Sequence, residues 1–290
     1  MKTLTSRLPA LFVFTVLVWS FAWPINKIGL DYISPLWYTA IRMIVGTIIM
    51  MLLVLACKQL KLPKRRDLPL ILIVGWLQIG LFILLINLGL AYMPAGRSAL
   101  LSYTTSLWII PLSILILREW PKPLHWVGFI CSLMGLTMLL SPWELNWSNW
   151  HIIVGCGMLI AASLSWAISM LCVRYMQWHQ SPFALLPWQL LAGAIPIALL
   201  ALSQEPSLVI HWTGTLVFSL AYTSILVTGF SYWAALVLNK ELSPLVMSLG
   251  FLIVPIFSIA LSAVFMHESI TLITGSAMGL IVLGLIFVSL

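Results

Sequence analysis

The sequence predicts an all-α membrane protein with ten transmembrane helices, arranged as two inverted five-helix repeats with cytoplasmic N- and C-termini. The composition, ten apolar runs of spanning length, and residue matches at a nearly constant offset predict this fold class. Of the 290 residues, 62% are hydrophobic and only 7% are charged. A soluble domain carries about 25% charged residues to cover its surface. Most of the outer surface of this protein must therefore face lipid.

Each predicted span has the length of a transmembrane helix, which needs about 20 mostly apolar residues. The spans of the first repeat (residues 1–145) are 8–28, 36–56, 68–91, 95–117 and 123–141. The spans of the second repeat (residues 146–290) are 151–173, 183–203, 212–238, 244–266 and 270–290. The first run follows Lys2 and Arg7 and could imitate a signal peptide. We treat it as a span because it is long enough to cross a bilayer and no small-residue cleavage site follows.

The distribution of Lys and Arg predicts the orientation, because these residues accumulate in cytoplasmic loops. With a cytoplasmic N-terminus, the inside positions are Lys2, Arg7, Lys58, Lys61, Lys64, Arg65, Arg66, Arg118, Lys122, Arg174 and Lys240. The outside positions are only Lys27 and Arg97. We therefore expect a multi-pass protein of the inner (plasma) membrane. The net charge of +7 reflects these loops, so no nucleic-acid partner is expected.

The two halves share residues at matching positions. Four residues recur 147 positions later: Trp19, Ser34, Pro35 and Gly46 match Trp166, Ser181, Pro182 and Gly193. Two more recur at an offset of 149: Glu119 and Gly135 match Glu268 and Gly284. Because each copy has an odd number of spans, the copies must be related by a pseudo-two-fold axis in the membrane plane. Exchanging the conformations of two such copies converts an inward-open state into an outward-open one, so the repeat favours alternating access.

Four stretches resemble a known family. They are VWSFAW at 18–23, PLWYTAIR at 35–42, YMPAGRSALL at 92–101 and the Arg-Glu pair at 118–119. In order and spacing they are similar to the drug/metabolite transporter superfamily, specifically its EamA group. The resemblance implies ten helices in two inverted repeats around a central cavity lined mainly by spans 1, 3, 4, 6, 8 and 9, with spans 5 and 10 farther away. It also implies export, since family members often export amino acids, related metabolites or toxic compounds.

Polar residues deep in spans are candidates for the substrate site, because a polar group in hydrocarbon needs a partner or a wet cavity. Arg42 is the only charged residue placed well inside a span. It could bind a substrate carboxylate through its forked guanidinium, or it could snorkel or bind carbonyls at a helix end. Gln78 and Asn87 are nine residues apart, on opposite faces of span 3. Either could line the cavity or hydrogen-bond a neighbouring helix.

Aromatic residues form the second group of candidates for the cavity wall. They are Trp19, Trp23, Phe82, Tyr103, Trp166 and Tyr222. Trp19 and Trp23 share one helical face, and Trp166 is the repeat counterpart of Trp19. Aromatic walls suit a flat apolar or cationic substrate, although interface anchoring is the commoner role of Trp in membranes.

Several classes of function are disfavoured by what the sequence lacks. It contains no His-Glu-x-x-His run and no paired carboxylates within a span, so we expect neither an enzyme nor a metal or cofactor. Charged rings and repeated filter loops, which channels usually carry, are also missing. No Asp or Glu lies in the middle of a span. This weakens the case for a proton-coupled exchanger, which usually has a titratable group at the midplane, and for an exporter of cations.

The predicted function is therefore that of a secondary transporter that exports small metabolites, with amino acids or related zwitterions favoured. Drug-like aromatic cations or other toxic compounds are the alternative substrates. The expected partners are a small-molecule substrate and the lipid bilayer, and the sequence leaves both a monomer and a homodimer open.

Overall fold

The computed structural model describes residues 8–118, 120–144, 148–266 and 272–289, which form helices and short connections. The helices are α1 (Leu8–Gly29), α2 (Pro35–Ala56), α3 (Arg65–Tyr92), α4 (95–117), α5 (Pro123–Leu140), α6 (Trp150–Tyr175), α7 (Pro182–Gln204), α8 (Gly214–Glu241), α9 (244–266) and α10 (Leu272–Ser289). Within the described ranges, β structure is limited to one isolated bridge between Ile33 and Ile210. Lys2, Arg7, Glu119 and Glu268, which contributed to the sequence predictions, lie outside the described residues.

Eight of the helices in the described part of the chain are long and apolar enough to cross a membrane, namely all except α5 and α10. The apolar stretches recorded in α5 and α10 are shorter, Pro123–Met138 and Gly275–Gly284. Every predicted span overlaps one helix, and where both ends are described the bounds agree within about three residues. A membrane protein is therefore confirmed, whereas ten spans and the orientation of the termini stay predictions.

Serine–proline pairs begin α2, α7 and α9. The side chains of Ser34, Ser181 and Ser243 accept hydrogen bonds from backbone N–H groups in the first turn, at 3.4, 3.2 and 3.3 Å. The proline that follows each serine needs no hydrogen-bond partner for its nitrogen at this position. The Ser-Pro pairs that recur in the sequence thus perform the same capping role in α2 and α7.

Four helices depart from regular α geometry near their centres. A π-helical segment occupies Val74–Leu81 in α3, and another occupies Thr223–Ser231 in α8. Helix α4 is interrupted between Ser102 and Thr105, and α9 is interrupted between Gly250 and Ile253. Segments of π-helix are uncommon and frequently occur at functional sites.

Glycines allow α2 and α7 to approach the π-helical segments closely. A Cβ atom on Gly46 of α2 would lie 2.9 Å from Thr228 Cγ2 in α8. A Cβ atom on Gly193 of α7 would collide with the carbonyl oxygen of Gly75 in α3. Small residues at such crossings let membrane helices pack tightly through van der Waals contact. The two glycines matched in the sequence therefore sit at corresponding contacts between the halves.

Loops from the two halves meet at each end of the bundle. At one end, called the Ile33 end, Ile33 bridges to Ile210 and the backbone N–H of His211 donates to Tyr32 O at 3.0 Å. At the other end, called the Asp67 end, Gln180 Nε2 donates to Asp67 Oδ2 at 3.1 Å. Contacts between the halves therefore hold both ends together, with the centre of the bundle between them.

We predict that Gly75→Ala destabilises the protein. The new Cβ would lie 2.5 Å from Gln189 O and 2.9 Å from Ala192 Cβ, so α3 and α7 would have to separate. Overpacking of this kind costs about 1–3 kcal/mol. The check is the thermal unfolding midpoint in detergent, with Gly157→Ala as the control because no atom lies within 4 Å of its added Cβ. Equal midpoints for the two variants would contradict the predicted contact.

Candidate functional site

A cavity of about 60 Å³ lies near the centre of the bundle. Helices α1, α3, α4, α6, α8 and α9 line it, which is the set that the family resemblance implies, and α2 adds Arg42. The lining residues are Trp19, Ala22, Trp23, Asn26, Arg42, Phe82, Ile83, Ile86, Ser102, Tyr103, Thr105, Trp166, Val227, Tyr232, Ser248 and Phe251. The cavity touches the π-helical segment of α8 at Val227 and both helix interruptions, at Tyr103 and Phe251.

Aromatic rings form one wall of the cavity. Trp19 and Trp166 meet edge to face with centroids 5.5 Å apart. Phe82 lies 4.5 Å from Trp166, and Phe251 lies 4.8 Å from Trp19. Tyr232 completes the cluster at 5.7 Å from Trp166. These separations fall in the range of favourable aromatic pairs. The rings therefore stabilise one another, and together they present an apolar surface to the cavity.

Arg42 provides the positive charge of the cavity. Its side chain is only 3% exposed. Its Nε donates to Thr228 Oγ1 at 2.8 Å, and its Nη1 donates to Asn26 Oδ1 at 3.3 Å. Within the described part of the chain, no carboxylate forms an ion pair with it. Burial of a charge is costly unless it is paired and hydrogen-bonded. This guanidinium has two hydrogen bonds but no counter-charge among the described residues.

A hydrogen-bond network holds Arg42 in place. Asn26 Oδ1 also accepts from the hydroxyl of Tyr38 at 3.1 Å. The Tyr38 hydroxyl lies 2.7 Å from Ser219 Oγ and 3.2 Å from Thr223 Oγ1. The network therefore connects α1, α2 and α8 through buried polar groups, and it fixes the side chains that surround the guanidinium.

Three of the predicted site residues lie away from this cavity. Gln78 Oε1 accepts from Ser169 Oγ of α6 at 3.0 Å. Asn87 Nδ2 donates to Thr39 Oγ1 of α2 at 2.8 Å. The hydroxyl of Tyr222 donates to the backbone oxygen of Val18 in α1 at 2.9 Å. Each of these side chains connects neighbouring helices, which is a common role for polar residues in membranes.

The structure brings the other six predicted residues together, namely Trp19, Trp23, Arg42, Phe82, Tyr103 and Trp166. It adds Tyr232 and Phe251, which the sequence reasoning missed. A signal for Phe251 was present in the repeat offset, because it lies 148 positions after Tyr103. Extending the offset to the aromatic candidates would have found Phe251. It would not have found Tyr232, which lies 149 positions after the non-aromatic Ile83.

Comparison with known proteins identifies the family. The model of the EamA-like transporter family matches residues 8–141 and again residues 153–290. The chain belongs to the EamA-like transporter family. The family match agrees with the predicted resemblance and accounts for a membrane-embedded helical bundle with a central cavity.

Relatives of this EamA-family chain are named as transporters. The uncharacterized transporter YvbV from Bacillus subtilis is 27% identical over 98% of this chain and 92% of its own length. The uncharacterized transporter YoaV from the same organism is 23% identical over 88% of this chain and 87% of its own length. A probable amino-acid metabolite efflux pump from Salmonella typhimurium is 25% identical over 88% of this chain and 86% of its own length. One crystal structure shares the fold with a TM-score of 0.76 at 20% identity, covering 98% of this chain and 97% of that one.

We predict that Tyr38→Phe destabilises the protein by about 1 kcal/mol, because it removes a hydroxyl that forms hydrogen bonds in a buried network. Tyr38 is 0% exposed, whereas Tyr92 is 45% exposed. The matched control is therefore Tyr92→Phe. The unfolding midpoints of both variants are measured by denaturation in detergent. A Tyr38→Phe midpoint equal to that of Tyr92→Phe would show that the network contributes nothing to stability.

Proposed function

We propose that this EamA-family protein is a secondary transporter that exports small amphipathic metabolites, amino acids first, by alternating access through the Arg42 cavity. The observation that carries the proposal is one buried guanidinium with no acidic partner among the described residues, beside a wall of aromatic rings. A guanidinium binds a carboxylate through charge-assisted hydrogen bonds, and aromatic rings accommodate an apolar side group. The probable amino-acid metabolite efflux pumps of Salmonella typhimurium and Escherichia coli, at 25% and 24% identity, support the substrate class and the outward direction.

Several features support two inverted repeats, residues 1–145 and 146–290. The family model matches the chain twice, once in each half. The π-helical segments Val74–Leu81 and Thr223–Ser231 start 149 positions apart. Gly46 and Gly193 make corresponding contacts between the halves. An arrangement of this kind converts one open state into the other by exchanging the conformations of the copies.

The size of the cavity supports a cycle of opening and closing. A cavity of about 60 Å³ holds roughly four water molecules at about 15 Å³ each. An amino acid with a large side group requires more space, so the walls of the cavity must separate when such a substrate binds. Because loops of the two halves meet at both the Ile33 end and the Asp67 end, release at either side requires one set of contacts to open while the other holds.

Ten spans and cytoplasmic termini complete the proposal. Helices α5 and α10 each have 18 residues, which gives a length of roughly 27 Å at 1.5 Å per residue. This length is close to the hydrocarbon thickness of about 30 Å. The two helices pack against each other, with a Cβ on Gly135 placed 2.6 Å from Ala277 O. With ten spans and basic loops inside, the Asp67 end faces the cytoplasm of the cell.

Aromatic cations are the second candidate substrates, favoured by the aromatic wall because cations bind over ring faces. The positive charge of Arg42 repels a cation at short range in a medium of low dielectric constant. No acidic side chain is among the described residues that line the cavity. The zwitterion therefore remains the first candidate. The relatives are named transporters, which supports transport rather than catalysis.

The proposed orientation predicts where Cys57 is accessible. Cys57 is exposed and follows the C-terminus of α2 at the Asp67 end. A membrane-impermeant maleimide that reaches the outer face of the inner membrane should leave Cys57 unlabelled while that membrane is intact. It should label Cys57 after the inner membrane is permeabilised. In a Cys57→Ser background, Ser207→Cys at the Ile33 end should be labelled in intact cells. The reverse pattern would mean that the termini face outward.

The transport proposal predicts saturable counterflow of one or a few amino acids in proteoliposomes. Arg42→Gln should lower this counterflow by about tenfold or more, because a hydrogen bond to a charged group contributes about 1.5–3 kcal/mol. The matched control is Arg66→Gln, since Arg66 is exposed in the first turn of α3.

Trp166→Ala should also reduce counterflow, whereas Trp212→Ala should not, because Trp166 is 5% exposed in the cavity wall and Trp212 is 62% exposed. Exchange of aromatic cations with no exchange of amino acids would replace the zwitterion proposal with the cation alternative. A flux that does not saturate would overturn the carrier proposal altogether.

A further inference from the structure

Several unpartnered polar groups of the residues that line the cavity can donate hydrogen bonds. Nη2 of Arg42 makes no hydrogen bond to another described residue, while Nε and Nη1 are occupied. Nε1 of Trp19 is buried and has no partner among the described residues. Tyr232 lies close enough to Arg42 for their side chains to interact electrostatically. A ligand that satisfies these groups must itself offer acceptor atoms.

The serine and threonine hydroxyls of the wall have already donated their hydrogens. Ser102 Oγ donates to Ser98 O at 2.9 Å, and Thr105 Oγ1 donates to Ser102 O at 3.1 Å. Ser248 Oγ donates to Leu245 O at 3.0 Å. Asn26 Oδ1 accepts from both Arg42 and Tyr38. The amide oxygen in the cavity is therefore occupied, and an ammonium group finds only the lone pairs of uncharged hydroxyl groups as further acceptors.

Charge favours the same ligand. A carboxylate neutralises the guanidinium and accepts hydrogen bonds from it, which removes the cost of an uncompensated buried charge. An ammonium group adds a second positive charge to a cavity that already holds one. None of the described lining residues is an Asp or a Glu that could offset it. The carboxylate of a zwitterion thus gains from this site, whereas its amine does not.

We propose that the Arg42 cavity selects compact monocarboxylates that carry one aromatic or branched apolar group, and that the α-amino group is not required for binding. The carboxylate binds Arg42, with Trp19 Nε1 and the Tyr232 hydroxyl as further donors. The apolar group packs against Trp166, Phe82 and Phe251. The inference rests on the proposed function, which makes this cavity the substrate site. It extends the substrates from amino acids to organic acids without an amine.

The test compares three probes that share one skeleton: L-phenylalanine, 3-phenylpropionate, which lacks the amine, and phenethylamine, which lacks the carboxylate. Binding is measured on the full-length protein in detergent by the shift of its thermal unfolding midpoint. We expect 3-phenylpropionate to bind within about threefold of L-phenylalanine, and phenethylamine to give no shift. Binding by phenethylamine alone, or by L-phenylalanine but not 3-phenylpropionate, would overturn the inference.

Variants assign the binding to the proposed groups. Arg42→Gln should weaken 3-phenylpropionate about tenfold or more, because it removes a charge-assisted hydrogen bond. Trp19→Phe keeps a ring at this position but removes Nε1, so it tests the second donor even if Arg42→Gln fails to fold. It should weaken 3-phenylpropionate severalfold relative to Trp212→Phe, whose indole is exposed. Unchanged binding in Trp19→Phe and in a folded Arg42→Gln would place the ligand elsewhere and overturn the inference.

Competition in proteoliposomes separates this inference from the transport proposal. The readout is inhibition of labelled amino-acid counterflow, since carboxylic acids cross lipid unaided in their neutral form. If 3-phenylpropionate binds and no probe is transported, the inference stands and the transport proposal fails. If amino acids exchange and 3-phenylpropionate neither binds nor competes, transport stands and the inference fails.

Discussion

The positive charge of Arg42, held in the bundle with no acidic partner in the described part of the chain, is the constraint on which the rest of the site depends. Hydrogen bonds to Thr228 and Asn26 keep the guanidinium in place, and Tyr38 fixes Asn26 in turn. The bond to Thr228 requires α2 and α8 to approach closely, which Gly46 permits. Local sequence, helix packing and site chemistry are therefore linked, because a larger residue at Gly46 would displace the acceptor that holds Arg42.

The scaffold corresponds between the halves more closely than the chemistry does. Gly193 packs on the π-helical segment of α3 much as Gly46 packs on that of α8. The residue that matches Arg42 in the second half is Gln189, which is buried and has no partner for either amide atom among the described residues. A carrier needs matching scaffolds to exchange two conformations, but it needs only one charged group to select a substrate. This asymmetry therefore places the positive charge on one side of the proposed pseudo-two-fold axis.

The sequence predicted the helices, and six of its nine candidate residues line the cavity, because length, apolarity and repeat offset are local properties of a chain. It did not predict the partners of Gln78, Asn87 and Tyr222. Helical periodicity gives the direction in which a side chain points around the axis of its helix. It does not say which neighbouring helix lies in that direction. The π-helical segments add a second difficulty, since they change the number of residues per turn and shift the faces beyond them. Proline does not mark the helix interruptions, because α1 continues through Pro24 while α4 is interrupted at Tyr103.

The most direct measurement is a crystal structure of the protein with 4-bromo-L-phenylalanine, in which the anomalous signal of bromine locates the ring. The account predicts a carboxylate oxygen about 3 Å from a guanidinium nitrogen of Arg42. It also predicts that the bromophenyl ring packs against Trp166, Phe82 and Phe251. A bromine position outside the cavity, or a ligand inside it whose carboxylate points away from Arg42, would contradict the account.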